Sequence, residues 1–173
     1  LSGAVITEGL RWGLWGDVPV PEDYDGDGTT DYATWSYYAP TGICYWHIWG
    51  AGDPWQAFGT TGDIPIPGDY DGDGTADRAL VREAGSLLQW LVREADGPLT
   101  KFHWGYPGDS LGKVRWGYAS DLPVTGDYNG DGNYNIGAFR PTEGVWYIWN
   151  PAGPNFKQSY GQDGDRPMVG QSY

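Results

Sequence analysis

Positive charge is scarce in this sequence of 173 residues. Lys and Arg number 10 against 23 Asp and Glu, so the formal net charge is −13 at pH 7. Such an excess of acid argues against nucleic acid or an anionic membrane surface as a partner, since both repel a negatively charged protein. Cations are the more natural partners.

Sulfur and long apolar runs are also scarce. The single Cys44 cannot form an internal disulfide, and we expect it to be a small buried apolar residue. No apolar run approaches the length of a membrane span, so we expect no membrane insertion. Because the sequence begins at Leu1 and its one Met is Met168, we expect a processed or excised product.

Glycine and aromatic residues are abundant instead. The 29 Gly and 13 Pro alone would suggest disorder, but 11 Trp and 13 Tyr supply apolar area that disordered chains lack. The composition therefore predicts a turn-rich folded protein.

One acidic segment occurs three times, as PEDYDGDGTTDY at residues 21–32, PGDYDGDGTADR at 67–78 and TGDYNGDGNYNI at 125–136. An aromatic-Gly pair precedes each copy, and a fourth pair near the C-terminus has no acidic segment after it. Such self-similarity is typical of repeat architectures. The four predicted aromatic-Gly pairs are Trp15-Gly16, Phe58-Gly59, Trp116-Gly117 and Tyr160-Gly161.

Short runs of aromatic and β-branched residues follow each acidic segment, and no stretch has a helical period, which predicts an all-β chain. Four-stranded repeats that cannot bury both faces alone are typical of propeller blades. We expect one domain over residues 1–173, a small four-bladed β-propeller, with an inserted loop or hairpin around 102–109. The predicted repeats are about 15–59, 60–117, 118–161, and 162–173 plus 1–14.

The fourth repeat needs strands from both ends of the chain. Residues 3–9 resemble residues 137–144, so the N-terminal segment could complete the last blade and hide the exposed strand edges. Two alternatives remain open: the chain is a fragment of a larger ring, or several chains complete one ring together.

The acidic segments carry oxygen side chains at relative positions 1, 3, 5 and 9, which suits Ca²⁺. This ion takes roughly six to eight oxygen ligands, and Gly permits the tight loop that directs them inward. The loops lack the position-12 Glu and flanking helices of an EF-hand. Metal-free Asp-Gly turns are the alternative, but four aligned Asp would then repel one another.

The third loop has Asn at two of these positions and should bind Ca²⁺ more weakly than the first two. No site is expected in the fourth repeat, where Gln171 takes the place of the first Asp. The predicted ligands, including position 7 through its carbonyl, are Asp23, Asp25, Asp27, Thr29, Asp31, Asp69, Asp71, Asp73, Thr75, Asp77, Asp127, Asn129, Asp131, Asn133 and Asn135.

This pattern resembles FG-GAP or VCBS-type repeats and is similar to the calcium-bearing blades of the integrin α-subunit propeller. The resemblance is most specific at residues 58–59 and 62–77 and extends over nearly the whole chain. It implies a β-propeller whose calcium loops join the first and second strands of each blade. It also implies a secreted or cell-surface protein that binds other molecules.

We therefore predict a non-catalytic, calcium-stabilised extracellular binding or adhesion module with a glycan or protein ligand at the propeller loops. Aromatic faces stack on sugars, so a lectin-like, carbohydrate-binding protein is one version. Trp46, Trp90 and Trp146 recur at equivalent positions and are predicted to be core. The candidate ligand-binding residues are Trp55, His103, Trp104 and Tyr106.

Two alternatives belong to other classes. One is a structural subunit of a surface layer, filament or larger complex that self-associates. The other is a propeller hydrolase or lyase, for which His47 and His103 are the available acid–base groups. Neither a Ser/His/Asp order nor a zinc spacing accompanies them, and His47 lies in a strand-like run where we expect it to be packed.

Overall fold

A computed structural model describes residues 12–50, 55–93, 112–150 and 153–167. Every regular element in these ranges is a β-strand, which confirms the predicted all-β class. The strands form three four-stranded antiparallel sheets, each a meander in chain order. Sheet 1 contains β1 (Val18–Pro19), β2 (Ala33–Tyr38), β3 (Ile43–Ile48) and β4 (Gln56–Thr60). Sheet 2 contains β5 (Ile64–Pro65), β6 (Arg78–Ala84), β7 (Leu87–Arg93) and β8 (Gly112–Tyr118). Sheet 3 contains β9 (Leu122–Gly126), β10 (Asn135–Arg140), β11 (Val145–Ile148) and β12 (Phe156–Ser159).

Alternation of side chains explains why these short runs form strands. In β3 every second residue, Cys44, Trp46 and Ile48, is buried, while the residues between them are partly exposed. This is the period-2 pattern of a sheet with one face in the core. Cys44 is fully buried as predicted, and desolvation, with a smaller contribution from the charge of Asp63, raises the pKa of its thiol to about 11.

A Trp occupies the same place in the third strand of each sheet. Each of the three indole N–H groups donates to a backbone carbonyl in the last strand of its own sheet or, in sheet 3, directly after that strand. Trp46 and Trp90 are fully buried, as predicted, whereas Trp146 is only partly buried. The acceptors are the carbonyls of Phe58, Trp116 and Tyr160, at 3.1, 3.2 and 2.9 Å.

The same tight turn precedes each first strand and also follows β12. An Asp closes the turn by accepting a hydrogen bond from the backbone N–H three residues earlier. The aromatic-Gly pair lies directly before this turn, so the first pair is Trp12-Gly13 and not the predicted Trp15-Gly16. The turn residues are Asp17, Asp63, Asp121 and Asp165, with N···O distances of 2.7, 2.8, 2.9 and 2.8 Å.

Consecutive sheets pack closely at the glycine of the aromatic-Gly pair. A Cβ added to Gly117 in sheet 2 would lie 2.8 Å from the Cβ of Ala138 in sheet 3. The Trp116 indole N–H crosses the same boundary to the Tyr147 carbonyl at 2.9 Å. The first pair repeats the arrangement against sheet 1: Gly13 lies against Thr34, and the Trp12 indole N–H donates to the His47 carbonyl at 3.4 Å.

The sheets follow one another without forming a closed ring within the described residues. Of the predicted fourth repeat, 162–173 plus 1–14, the structure describes residues 12–14 and 162–167, and none of these lies in a strand. Residues 1–11 and 168–173 lie outside the described residues, as does the predicted insertion around 102–109. None of the described segments is a helix long and apolar enough to cross a membrane.

Candidate metal loops and ligand cavity

The acidic loops connect the first and second strands of each sheet and share one backbone arrangement. In the second loop, Asp69 accepts hydrogen bonds from the backbone N–H groups three and five residues later, at 2.6 and 2.9 Å. Asp71 accepts from the Asp73 N–H at 3.1 Å, and Asp73 accepts from both the backbone N–H and the hydroxyl of Thr75. The backbone thus orients the first three carboxylates of the loop.

The first loop repeats this pattern closely. Asp23 accepts from the N–H groups of Gly26 and Gly28, both at 2.8 Å, and Asp27 accepts from the Thr29 N–H at 2.7 Å. Thr29 and Thr75 therefore point their N–H groups at the position-5 carboxylates of their own loops.

A tyrosine that sequence reasoning missed anchors each loop. The Tyr70 hydroxyl donates to the Ile66 carbonyl at 2.7 Å, and its backbone N–H donates to Asp77 at 3.0 Å. Tyr70 and Asp77 are both buried, and desolvation raises the pKa of the phenol far above its ordinary value. The signal was present in the sequence, because a Tyr follows the first Asp of all three loops. Tyr24 repeats the hydroxyl bond, to the Val20 carbonyl four residues earlier at 2.7 Å, whereas Tyr128 donates to the Thr125 carbonyl three residues earlier at 3.3 Å.

Two clusters of carboxylates form at the predicted positions. In each cluster one oxygen from each of three Asp residues lies within 4.8 Å of the others. Both clusters contain positions 1 and 3; position 5 completes the first and position 9 the second. The clusters are Asp23, Asp25 and Asp27 in the first loop, and Asp69, Asp71 and Asp77 in the second.

The donor set of these clusters fits a hard divalent cation. All side-chain donors are oxygen, which is what Ca²⁺ prefers. Among the described residues no Lys or Arg forms an ion pair with Asp23, Asp25 or Asp27. Three like charges this close raise one another's free energy unless a cation offsets them.

The third loop keeps the fold but has fewer charges. Asp127 accepts from the N–H groups of Gly130 and Gly132 at 2.7 and 3.0 Å. Desolvation raises its pKa, but the backbone hydrogen bonds together outweigh that effect and lower it. The Asn129 amide donates to Asp131 at 2.8 Å, and Asn135 replaces the buried position-9 carboxylate. Asn133 donates its backbone N–H to Asp131 at 2.9 Å.

The three loops lie in a row and touch. The Asp23 carbonyl of the first loop accepts from the Ala76 N–H of the second at 2.7 Å, and the Asp69 carbonyl accepts from the Tyr134 N–H of the third, also at 2.7 Å. Each bond joins position 1 of one loop to position 8 of the next. Backbone hydrogen bonds therefore connect each loop to the next.

A cavity of about 580 Å³ lies against sheet 1. Its walls are mostly aromatic, and Trp15 and Trp55 stand at its border with fully exposed and 62% exposed side chains. The Trp55 ring meets the His47 ring edge-on with centroids 4.3 Å apart. Among the described residues that line the cavity, Asp17 is the one carboxylate.

Of the predicted ligand-binding residues, the structure places Trp55 at this cavity. The other three, His103, Trp104 and Tyr106, lie outside the described residues. His47 is half-buried in β3, which agrees with a packed role. The cavity itself was missed, because its lining joins residues from the turn before β1, from β2 and β3, and from Trp55 just before β4.

The chain matches no protein-family model, and no curated protein or solved structure matches it either.

Proposed function

We propose that this protein is a non-catalytic binding module whose fold is stabilised by Ca²⁺ in the acidic loops. The observation that supports it is the pair of carboxylate clusters, each held by backbone N–H groups. We propose full sites in the first two loops and a weaker one in the third, where Asn replaces two acids. A secreted or cell-surface location fits, because free Ca²⁺ is millimolar there.

Binding to the folded state alone adds RT ln(1 + [L]/Kd) to stability. For a micromolar site in millimolar Ca²⁺ this is roughly 4 kcal/mol. In a domain of this size it corresponds to roughly 10 °C in Tm.

A thermal melt in millimolar CaCl₂ and in excess chelator tests the metal proposal. We expect the chelator to lower Tm strongly and Asp25→Asn or Asp71→Asn to reduce the calcium effect. Asp163→Asn is the matched control, since Asp163 is exposed and lies outside the three loops. An unchanged Tm on chelation would contradict the proposal.

We further propose that the sheets are blades of a small propeller of four blades with repeats like those of the FG-GAP or VCBS type. Two observations support this. Trp12-Gly13 contacts sheet 1 as Trp116-Gly117 contacts sheet 3, which is what the end of a preceding blade would do. Trp146 is partly exposed where its counterparts in sheets 1 and 2 are fully covered.

An assembly role is the second candidate, and the outer face of sheet 3 favours it. A cavity of about 380 Å³ there is lined by Phe139, Trp146 and Tyr160, and Tyr160 is 79% exposed. Solution mass by light scattering separates the candidates. A monomer supports completion of the ring within one chain, whereas a dimer or polymer supports completion by further copies in a structural assembly.

The cavity beside sheet 1 is the proposed ligand site, with a glycan or a protein as ligand. Exposed Trp15 and Trp55 offer stacking surfaces of the kind that sugars use. A glycan array tests the lectin version. We expect hits that weaken in Trp55→Ala and persist in Tyr160→Ala, which changes an exposed aromatic residue outside this cavity. An array without hits would rule the lectin version out.

A further inference from the structure

The cavity beside sheet 1 has a structural counterpart elsewhere in the chain. Equivalent positions follow from strand register, because Trp35 pairs with Trp46, Val81 with Trp90, and Phe139 with Trp146. The next residue along the second strand is Ser36 in sheet 1, Arg82 in sheet 2 and Arg140 in sheet 3. The corresponding turn carboxylates are Asp17, Asp63 and Asp121.

In sheet 3 this space is filled by a guanidinium. Arg140 pairs in bidentate fashion with Asp121, Nε to Oδ1 at 2.9 Å and an outer nitrogen to Oδ2 at 3.0 Å. Its guanidinium carbon lies 4.5 Å from the ring centroids of both Tyr118 and Tyr147. Such stacking on aromatic faces and forked pairing are what guanidinium groups favour.

Sheet 2 repeats the pairing. Arg82 donates to the Oδ2 of Asp63 at 2.7 Å, and the carboxylate is almost completely buried. Two of the three sheets therefore place a cation from their own second strand on the turn Asp.

Within the described part of the chain, sheet 1 keeps the acceptor side of this arrangement and lacks the cation. Asp17 closes the same turn, but Ser36 is too short to reach it. The cavity measures about 580 Å³, against about 260 Å³ for the corresponding space around Arg140. His47 takes the place of Tyr147, and the aromatic rings of Tyr45 and Trp55 widen the wall.

Two buried hydroxyls in the lining also lack partners. The Oγ1 of Thr34 and the Oγ of Ser36 are buried and have no hydrogen-bond partner among the described residues, and Thr34 is only 7% exposed. Buried polar atoms are normally hydrogen-bonded, so these two hydroxyls leave the polar groups of the lining incompletely satisfied.

We propose that the cavity beside sheet 1 binds a guanidinium group supplied from outside the chain, as an arginine side chain of a peptide or protein partner. The proposal rests on the binding function proposed above and names its ligand chemistry. The guanidinium would pair with Asp17 and stack on the aromatic wall, in the position that Arg140 occupies in sheet 3. The net charge of −13 favours approach of a cationic partner.

Calorimetric titration of the calcium-loaded chain with acetyl-arginine amide and an arginine-containing tetrapeptide tests the proposal. The matched probe is acetyl-citrulline amide, which has the same shape without the charge. We expect arginine amide to bind at least about tenfold more tightly than citrulline amide, as loss of a charge-assisted pair predicts. Equal affinities, or no binding of arginine amide, would overturn the proposal.

Two variants locate the site. Asp17→Asn keeps a side-chain oxygen for the turn but removes the charge, and should weaken arginine binding about tenfold or more. Ser36→Arg supplies the guanidinium from β2, so it should abolish binding while raising Tm. Asp163→Asn is the control and should bind like the parent. Undiminished binding in Ser36→Arg would overturn the assignment.

The outcomes separate this inference from the proposed function. If Tm rises with Ca²⁺ but only an oligosaccharide binds, the module is a lectin and the arginine proposal fails alone. If arginine amide binds as expected while Tm does not change with Ca²⁺, the calcium proposal fails and the arginine site stands.

Discussion

Tyr70 joins the second acidic loop to its sheet twice, through its hydroxyl to Ile66 and through its backbone N–H to Asp77. Both partners are buried, so neither bond competes with water. A buried hydrogen bond contributes about 1 kcal/mol net, and an acceptor left without a donor costs more. The loop conformation therefore depends on a residue that supplies no side-chain oxygen to the carboxylate cluster.

Tyr70→Phe removes only the hydroxyl and should lower the free energy of unfolding by about 1 kcal/mol or more, because the Ile66 carbonyl stays buried. Urea unfolding in chelator measures it. Tyr128→Phe is the matched control. The Tyr128 hydroxyl bond is 3.3 Å long and the residue is 36% exposed, so this variant should lower the free energy of unfolding by only about a few tenths of a kcal/mol. Equal losses in both variants would contradict the interpretation.

The raised pKa of Tyr70 adds a pH dependence. The phenol stays neutral when folded but ionises near its ordinary pKa of 10.0 when unfolded. Its contribution to stability is therefore complete below about pH 10 and is lost progressively above it. Tyr70→Phe should show a shallower alkaline loss of stability than the parent.

At the scale of elements, strand positions were predictable because apolar alternation and turn residues are local signals. The position of the first aromatic-Gly pair was not predictable. Trp15-Gly16 and Trp12-Gly13 look alike in sequence, and what distinguishes them is contact with Thr34 in β2. The carboxylate clusters followed from loop spacing. The cavity could not be predicted from spacing, because it depends on Ser36 occupying in sheet 1 the position that Arg82 and Arg140 occupy in sheets 2 and 3.

Gly117 provides a test of how sheets meet. Gly117→Ala adds a methyl group 2.8 Å from the Ala138 Cβ at a φ of 90°, whereas Gly62→Ala adds one at a φ of 91° with nothing within 4 Å. Both variants carry similar backbone strain, so the difference between their unfolding free energies measures the crowding at Gly117, which comes chiefly from Ala138 and, at 3.2 Å, from Leu88 of its own sheet. We expect Gly117→Ala to be about 1 to 3 kcal/mol less stable than Gly62→Ala, as overpacking predicts.

If the two variants are equally stable in chemical denaturation, sheets 2 and 3 do not pack through this glycine in solution. Parent protein measured beside them gives the strain shared by both substitutions, which is about 1 to 3 kcal/mol for a non-glycine residue in this conformation.

At the scale of the whole molecule, the negative charge is concentrated where the sheets adjoin. The loops of neighbouring sheets share backbone hydrogen bonds, from Ala76 to Asp23 and from Tyr134 to Asp69. A cation that orders one loop also orders the carbonyl or N–H group through which that loop is hydrogen-bonded to the adjacent loop. Calcium binding in adjacent loops should therefore be positively coupled, since each event reduces the ordering cost of the next.

Asp71→Asn tests this coupling. Removing one charge from the second loop should weaken calcium binding there and, through the Ala76–Asp23 bond, should also weaken it several-fold in the first loop. Asp131→Asn is the matched control, because the third loop adjoins the second and has no described hydrogen bond to the first. Calorimetric titration with CaCl₂ should show the first-loop step weakened in Asp71→Asn and unchanged in Asp131→Asn. A first-loop affinity that is the same in both variants would mean that the loops bind independently, and the linking bonds would then be structural only.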